Sequence, residues 1–185
     1  LSRLAGIRAA RPDVALWVDA NGGWKLEEAL LYLAKLEKCE IGMLEQPLHK
    51  DDLQGMGHLQ LATNIPIVAD ESVQTLRDIE DLAKIGIQGV NIKLMKVGGI
   101  SPALSMIKRA KDLGLAVMLG CMIETSIGTT AMAHLGGFAK WLDLDASALI
   151  TNDPFEGMKL DESCTVRISD RAGIGVRIKP RSDIE

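Results

Sequence analysis

Three features of the sequence predict an α/β fold: a (β/α)8 TIM-type barrel truncated to roughly strands 3 to 8, with a short C-terminal tail. Short apolar runs alternate with stretches of helical period, the pattern of a parallel sheet. The runs are nearly continuous in hydrophobicity, as expected where both faces of a strand are covered. The first four end on charged residues, Asp19, Glu45, Asp70 and Lys93, at steps of 26, 25 and 23 residues. A parallel barrel keeps its chemistry at the C-terminal ends of its strands.

The elements follow in order. Leu1 to Arg8 reads as the middle of an amphipathic helix, without initiator Met or N-cap, so the chain reads as a fragment lacking the first two barrel strands. Val14 to Asp19 is the first strand, and Asn21-Gly22-Gly23 makes the turn. Trp24 to Lys38 is helical, with its apolar period carried by Leu26, Leu30, Leu33, Ala34 and Leu36. Ile41 to Glu45 is the second strand, ended by Gln46-Pro47 because proline cannot continue a central ladder. Asp51-Asp52 opens a helix towards Thr63; Pro66 to Asp70 is a strand and Thr75 to Ile85 a helix. Gly89 to Lys93 is the fourth strand. Gly98-Gly99 breaks the chain before a helix from Pro102 to Leu113, with proline near the start where its fixed φ is favourable. Leu115 to Gly120 and Thr125 to Phe138 form the fifth unit, and Trp141 to Asp145 the sixth strand. These make a partial barrel of residues 1–151. In the tail, 152–185, Val166 to Ile168 and Val176 to Ile178 read as short strands around Asp170-Arg171-Ala172-Gly173. A doubly wound sheet is the rival, but no G-x-G-x-x-G follows a strand. Val97-Gly98-Gly99 could cradle a phosphate, although turn residues are the plainer reading.

Composition narrows the function. The chain has 185 residues, is 47% hydrophobic and carries a net charge of −4, enough apolar content for a core. Aromatics are 3%, with no basic block, which disfavours nucleic acid as a partner. No apolar stretch approaches the roughly 20 residues of a membrane span. Cys39, Cys121 and Cys164 lie far apart, so buried reduced thiols, and with them the cytoplasm, are favoured over disulfides or zinc. Homo-oligomerisation is left open.

Any one strand-end acid could simply cap the following helix. Three in succession shift the reading, because Glu is a poor cap and close carboxylates repel unless a cation intervenes. Mg²⁺ suits Asp19, Glu45 and Asp70, since it takes oxygen ligands and leaves positions for water and substrate. His49 is the only histidine beside them, too little nitrogen for zinc. Lys93 closes the apolar run Val90-Asn91-Ile92; beside a dication and partly buried, its pKa should fall, making a neutral amine available as a base. A Schiff-base role competes, and the three acids count against it. Lys96 reads as an electrostatic neighbour. Asp143 and Asp145 share a face by period two and would suit a substrate ammonium; capping and surface placement weigh equally.

The segments Val18-Asp19-Ala20-Asn21-Gly22-Gly23-Trp24, Leu44-Glu45-Gln46-Pro47, Ala69-Asp70-Glu71-Ser72 and Asn91-Ile92-Lys93-Leu94-Met95-Lys96-Val97-Gly98-Gly99 resemble the enolase superfamily, in its muconate-lactonizing subgroup. Lys93-Leu94-Met95-Lys96-x-Gly98-Gly99 with Asp143-Leu144-Asp145 looks most like dipeptide epimerases of the L-Ala-D/L-Glu type. The resemblance implies a 1,1-proton transfer: Mg²⁺ on Asp19, Glu45 and Asp70 stabilising an enediolate, Lys93 on one face of the α-carbon, and Asp143 with Asp145 holding the α-ammonium of a dipeptide. Enolase-type sites that use a Lys or His base with Mg²⁺ are a known pattern. A second base, in a Lys-x-Lys at the end of barrel strand two, would lie upstream of Leu1, and the tail would pack with an N-terminal capping domain. Cys121-Met122-Ile123-Glu124-Thr125 looks like a pocket-lining loop. Muconate cycloisomerase, o-succinylbenzoate synthase, another racemase of the superfamily or a non-catalytic fragment are the alternatives.

Overall fold

The structure is a computed structural model and describes residues 2–180. Its elements run α1 (Ser2–Ala10), β1 (Leu16–Asp19), α2 (Leu26–Lys38), β2 (Ile41–Glu45), α3 (Leu53–Leu61), β3 (Ile67–Ala69), α4 (Leu76–Lys84), β4 (Gly89–Ile92), α5 (Leu94–Val97), α6 (Ile100–Asp112), β5 (Ala116–Leu119), α7 (Ser126–Ala133), β6 (Trp141–Leu142), β7 (Phe155–Glu156), β8 (Lys159–Leu160), β9 (Val166–Arg167) and β10 (Arg177–Ile178). The first six strands form one sheet in the order β1-β2-β3-β4-β5-β6. The pairings β1·β2, β2·β3, β3·β4 and β5·β6 are parallel. A doubly wound sheet reverses its strand order at a switch point. Here each strand neighbours its successor, as in a barrel wall, and the doubly wound rival falls.

The chain gathers into two compact units, one of Leu1–Asn91 with Arg109–Ala116, the other of Ile92–Lys108 with Val117–Glu185. In the first, helix starts follow cap chemistry. Asp52 accepts the N–H of Gly55 at 2.9 Å to open α3. Thr75 and Asp78 open α4 reciprocally: the Thr75 N–H donates to the Asp78 carboxylate at 2.7 Å and the Asp78 N–H to the Thr75 hydroxyl at 3.3 Å. The buried stripe of α2 is Ala29, Leu33 and Leu36, while Leu30 and Ala34, expected in the core, are exposed. With Leu31 exposed beside Leu30, the helix has more apolar residues than its sheet-facing stripe can accommodate. The core of this unit is built from Leu36, Met43, Leu44, Leu48, Met56, Leu59, Ile67, Ile79 and Leu82, all fully buried. Strand β3 is buried throughout, whereas β1 alternates and leaves Trp17 43% exposed. Continuous burial therefore fails at β1, which pairs with β2 alone among the described residues.

In the second unit, α5 is a single turn that the sequence reading passed over, closed by Gly98 at φ 90°. The sixth strand is shorter than expected: pairing ends at Leu142, and Asp143 to Asp145 continue beyond it into a 3-10 turn at Ala146–Ala148. The helix expected to reach Phe138 ends at Ala133, and a 3-10 turn covers Gly136–Phe138. In the tail, the two expected strands do not pair with each other. β9 pairs antiparallel with β8, and β10 with β7. Residues 181–185 of the tail lie outside the described residues. Asp153 ties this region to α7, accepting from the Ser126 N–H at 2.8 Å and the Ser126 hydroxyl at 2.5 Å.

Candidate active site

In the first unit, the parallel register sets Asp19 directly opposite Glu45, and Glu45 opposite Val68, two residues before Asp70. All three acids therefore stand at strand C-termini, as the spacing predicts. Their environments differ. Asp19 is exposed and accepts both the Asn21 N–H at 2.8 Å and the Asn21 side-chain amide at 2.7 Å. Asn21 and Gly22 have φ of 44° and 66°, which folds the turn back over the carboxylate. Glu45 is 5% and Asp70 2% exposed. The Asn91 side-chain amide donates to Glu45 Oε1 at 2.6 Å. Two carboxylates this buried on adjacent strand ends require compensating positive charge or donors.

Among the described residues, no three His, Cys, Asp or Glu side chains are drawn together into a ready metal-ligand group. Asp19 is turned onto Asn21. The donor chemistry fits a hard divalent cation nonetheless: the three strand-end groups offer oxygen only, and Glu71 Oε2, next to Asp70, is buried without a hydrogen-bond partner. His49 points elsewhere, pairing with Asp51 at 3.5 Å on the surface.

The sequence reading passed over the role of Gln46. Its side chain is fully buried and bridges the loops that follow β2 and β3. The available signal was an amide flanked by Glu45 and Pro47 at the close of an apolar run.

In the second unit, Lys93 ends β4, half-buried, and acts as N-cap of α5 with extended backbone. Its carbonyl accepts the N–H groups of Lys96 at 3.0 Å and Val97 at 3.2 Å. The strand therefore turns into helix at this lysine. Asp143 and Asp145 are both exposed with Leu144 buried between them, so the alternation continues past the end of β6. Both acids line a cavity of about 220 Å³ together with Cys121, Met122, Ile123, Ala146 and Leu149. The loop after β5 and the Asp-x-Asp thus share one wall. Burial pushes the Cys121 thiol up to about 11, and the charges of Asp143, Asp145 and Glu124 push the same way against the Ala146 backbone N–H. Burial likewise raises Glu124, opposed by the Met122 N–H, which donates to it at 3.2 Å. Of the three cysteines, expected to be buried, only Cys39 is; Cys121 is half-buried and Cys164 exposed.

Parallel strands that each neighbour their successor, alternating with helices, define a barrel-type α/β protein. The chain belongs to the family described as enolase C-terminal domain-like, which matches residues 1–182. It is 38% identical over 161 residues to an L-Ala-D/L-amino acid epimerase of Maribacter, covering 87% of this chain and 48% of that protein. It is 40% identical over 169 residues to the L-Ala-D/L-Glu epimerase of Bacillus subtilis, covering 88% of this chain and 46% of that protein. The crystal structure of a dipeptide epimerase from Cytophaga hutchinsonii, complexed with Mg and the dipeptide D-Ala-L-Val, superposes with a TM-score of 0.91 at 30% identity, over 98% of this chain and 51% of that one. The chain spans about half the length of these relatives. Among the described residues, no helix is long and apolar enough to cross a membrane.

Proposed function

We propose that the protein carrying this chain is a cytoplasmic Mg²⁺-dependent dipeptide epimerase that moves a proton between the two faces of an α-carbon. The observation that carries this reading is the cavity lined by both Asp143 and Asp145 beyond the end of β6. Two carboxylates so placed suit the free ammonium of a dipeptide. A cycloisomerase or succinylbenzoate substrate offers no such group.

In this reading Asp143 and Asp145 accept hydrogen bonds from the substrate ammonium and fix the N-terminal residue. Lys93, when unprotonated, removes the α-proton on one face, or returns it as the ammonium. Asp19, Glu45 and Asp70 would hold Mg²⁺, which when bound supplies positive charge against the enediolate that forms as the proton leaves. A second base serves the opposite face. The tail from residue 152 to residue 180 packs against an N-terminal capping domain that closes the pocket.

The test is α-proton exchange of L-Ala-L-Glu and related dipeptides in deuterated water, followed by NMR with the full-length protein. Exchange at the C-terminal residue's α-carbon is expected, and its absence with every dipeptide overturns the reading. Lys93→Ala is expected to lower epimerisation by at least about 100-fold while Mn²⁺ still binds. Normal epimerisation by that variant removes Lys93 from the mechanism.

A further inference from the structure

We propose that Gln46 is a positioning residue, whose side-chain amide sets the placement of Asp70 towards a divalent cation. This rests on the metal reading above and adds a residue to it.

Gln46 follows Glu45 directly and turns the chain at φ 30°, a conformation rare for a residue with a side chain. That turn brings its amide under the neighbouring loop, where it is fully buried. Oε1 accepts the backbone N–H of Asp70 at 2.8 Å and that of Ser72 at 3.3 Å. Nε2 donates to the Leu48 carbonyl at 2.9 Å and to the Ser72 hydroxyl at 2.9 Å. The Ser72 hydroxyl in turn donates to the Lys50 carbonyl at 2.8 Å. Both acceptor sites and both donors of the amide are therefore used.

The backbone of the same residue reaches further. Its N–H donates to the Val68 carbonyl at 2.9 Å, and its carbonyl accepts the Gly22 N–H at 2.7 Å. One residue thus touches the ends of three strands: the turn after Asp19, its own strand at Glu45, and Asp70 itself. Packing alone would not select an amide here. An apolar side chain would fill the space but leave the Asp70 N–H and the Leu48 carbonyl without these partners, and a carboxylate would set an acceptor against the Leu48 carbonyl. Hydrogen bonds that orient metal-ligating groups contribute to affinity even though they never touch the ion.

The experiment measures Mn²⁺ binding by electron paramagnetic resonance, on full-length wild type, Gln46→Met, Ser72→Ala and Asp70→Asn, at a temperature where circular dichroism shows the native fold. Gln46→Met keeps the length and loses all four side-chain hydrogen bonds. Its Mn²⁺ dissociation constant is expected to rise about ten- to hundredfold. A value within twofold of wild type in folded Gln46→Met overturns the inference, because a purely structural amide would lower the melting temperature and leave affinity alone. If Gln46→Met does not fold, Ser72→Ala decides: a severalfold weaker Mn²⁺ affinity supports the inference, and an unchanged one overturns it. Asp70→Asn separates the two levels. Loss of Mn²⁺ binding there with wild-type binding in Gln46→Met overturns the role of Gln46 alone. Binding that survives Asp70→Asn overturns the metal reading and this inference with it.

Discussion

At the residue scale, charge at a strand end is visible in sequence because it interrupts an apolar run, and so Asp19, Glu45, Asp70 and Lys93 could be named before any coordinates. What the sequence does not reveal is how each group is held. Glu45 is buried against Asn91, which sits inside the run Val90-Asn91-Ile92, and nothing in a linear pattern says which distant carboxylate an isolated buried amide will meet. Gln46 was illegible for the same reason, since its four partners depend on how two loops fold onto one another. The Asp-x-Asp was legible as a pair sharing a face, but its neighbourhood with Cys121 needed the structure. That neighbourhood is testable through the thiol. With its pKa pushed up to about 11, first by burial and then by Asp143, Asp145 and Glu124, Cys121 is almost entirely un-ionised at neutral pH. Since only the thiolate attacks, its alkylation by iodoacetamide is expected to accelerate about tenfold per pH unit from pH 7 to 9 with no plateau. Asp143→Asn removes one of the charges opposing ionisation and is expected to speed alkylation at fixed pH. Peptide mass spectrometry reads both, and a plateau below pH 9 would show that the thiol is not held in this pocket.

At the element scale, six strands and their order were readable from period and spacing, because an apolar run covered on both faces looks the same wherever it occurs. Helix starts were readable to within a few residues where Asp52 and Thr75 supply caps. The sixth strand and the tail were not. Trp141 to Asp145 looks like a strand, yet its ladder stops at Leu142, and short two-residue strands in the tail carry too little periodicity to reveal their partners. What fastens the tail is the Asp153 carboxylate. Burial works to raise its pKa, but hydrogen bonds from the Ser126 hydroxyl and N–H, the Phe155 N–H and the charge of Lys179 outweigh it and hold the group below the ordinary 3.8. A folded-state pKa below the unfolded one means the stabilisation is fully present above about pH 4 and is lost as pH falls through the folded value. The expected result is lower amide protection, relative to the intrinsic exchange rate at each pH, at Ser126 and Phe155 on acidification below that range. Asp153→Asn shows low protection at both pH values and loses about 1–3 kcal/mol of stability near neutrality. Equal protection of these amides at pH 6 and pH 3 in wild type would contradict the fastening.

At the scale of the whole molecule, the chain spans about half the length of its relatives, and the clearest physical trace of what a longer chain would supply is the exposed side of β1. Strand β1 hydrogen-bonds to β2 and to no other strand among the described residues. Trp17 on it is 43% exposed and, with Ile7, Tyr32 and Leu36, lines a groove of about 610 Å³. A half-covered edge with apolar side chains invites pairing with another chain unless something covers it. The barrel reading supplies the natural cover, a strand preceding β1, and so separates two preparations of the same sequence. Produced by itself with Trp24→Phe and Trp141→Phe, so that Trp17 alone emits, the 185-residue chain is expected to associate with rising concentration in sedimentation velocity, with Trp17 emission shifting to the blue as the groove closes. Trp17→Lys places a charge on the edge and is expected to suppress that association, since edge lysines are a common defence against strand pairing. In the full-length protein the same edge is expected to be already paired. There Trp17 should emit as a buried side chain, and any self-association should leave its emission unchanged with concentration. A 185-residue chain that stays monomeric with Trp17 exposed would show that the β1 edge tolerates water, and the barrel reading would lose its strongest physical demand for a preceding strand.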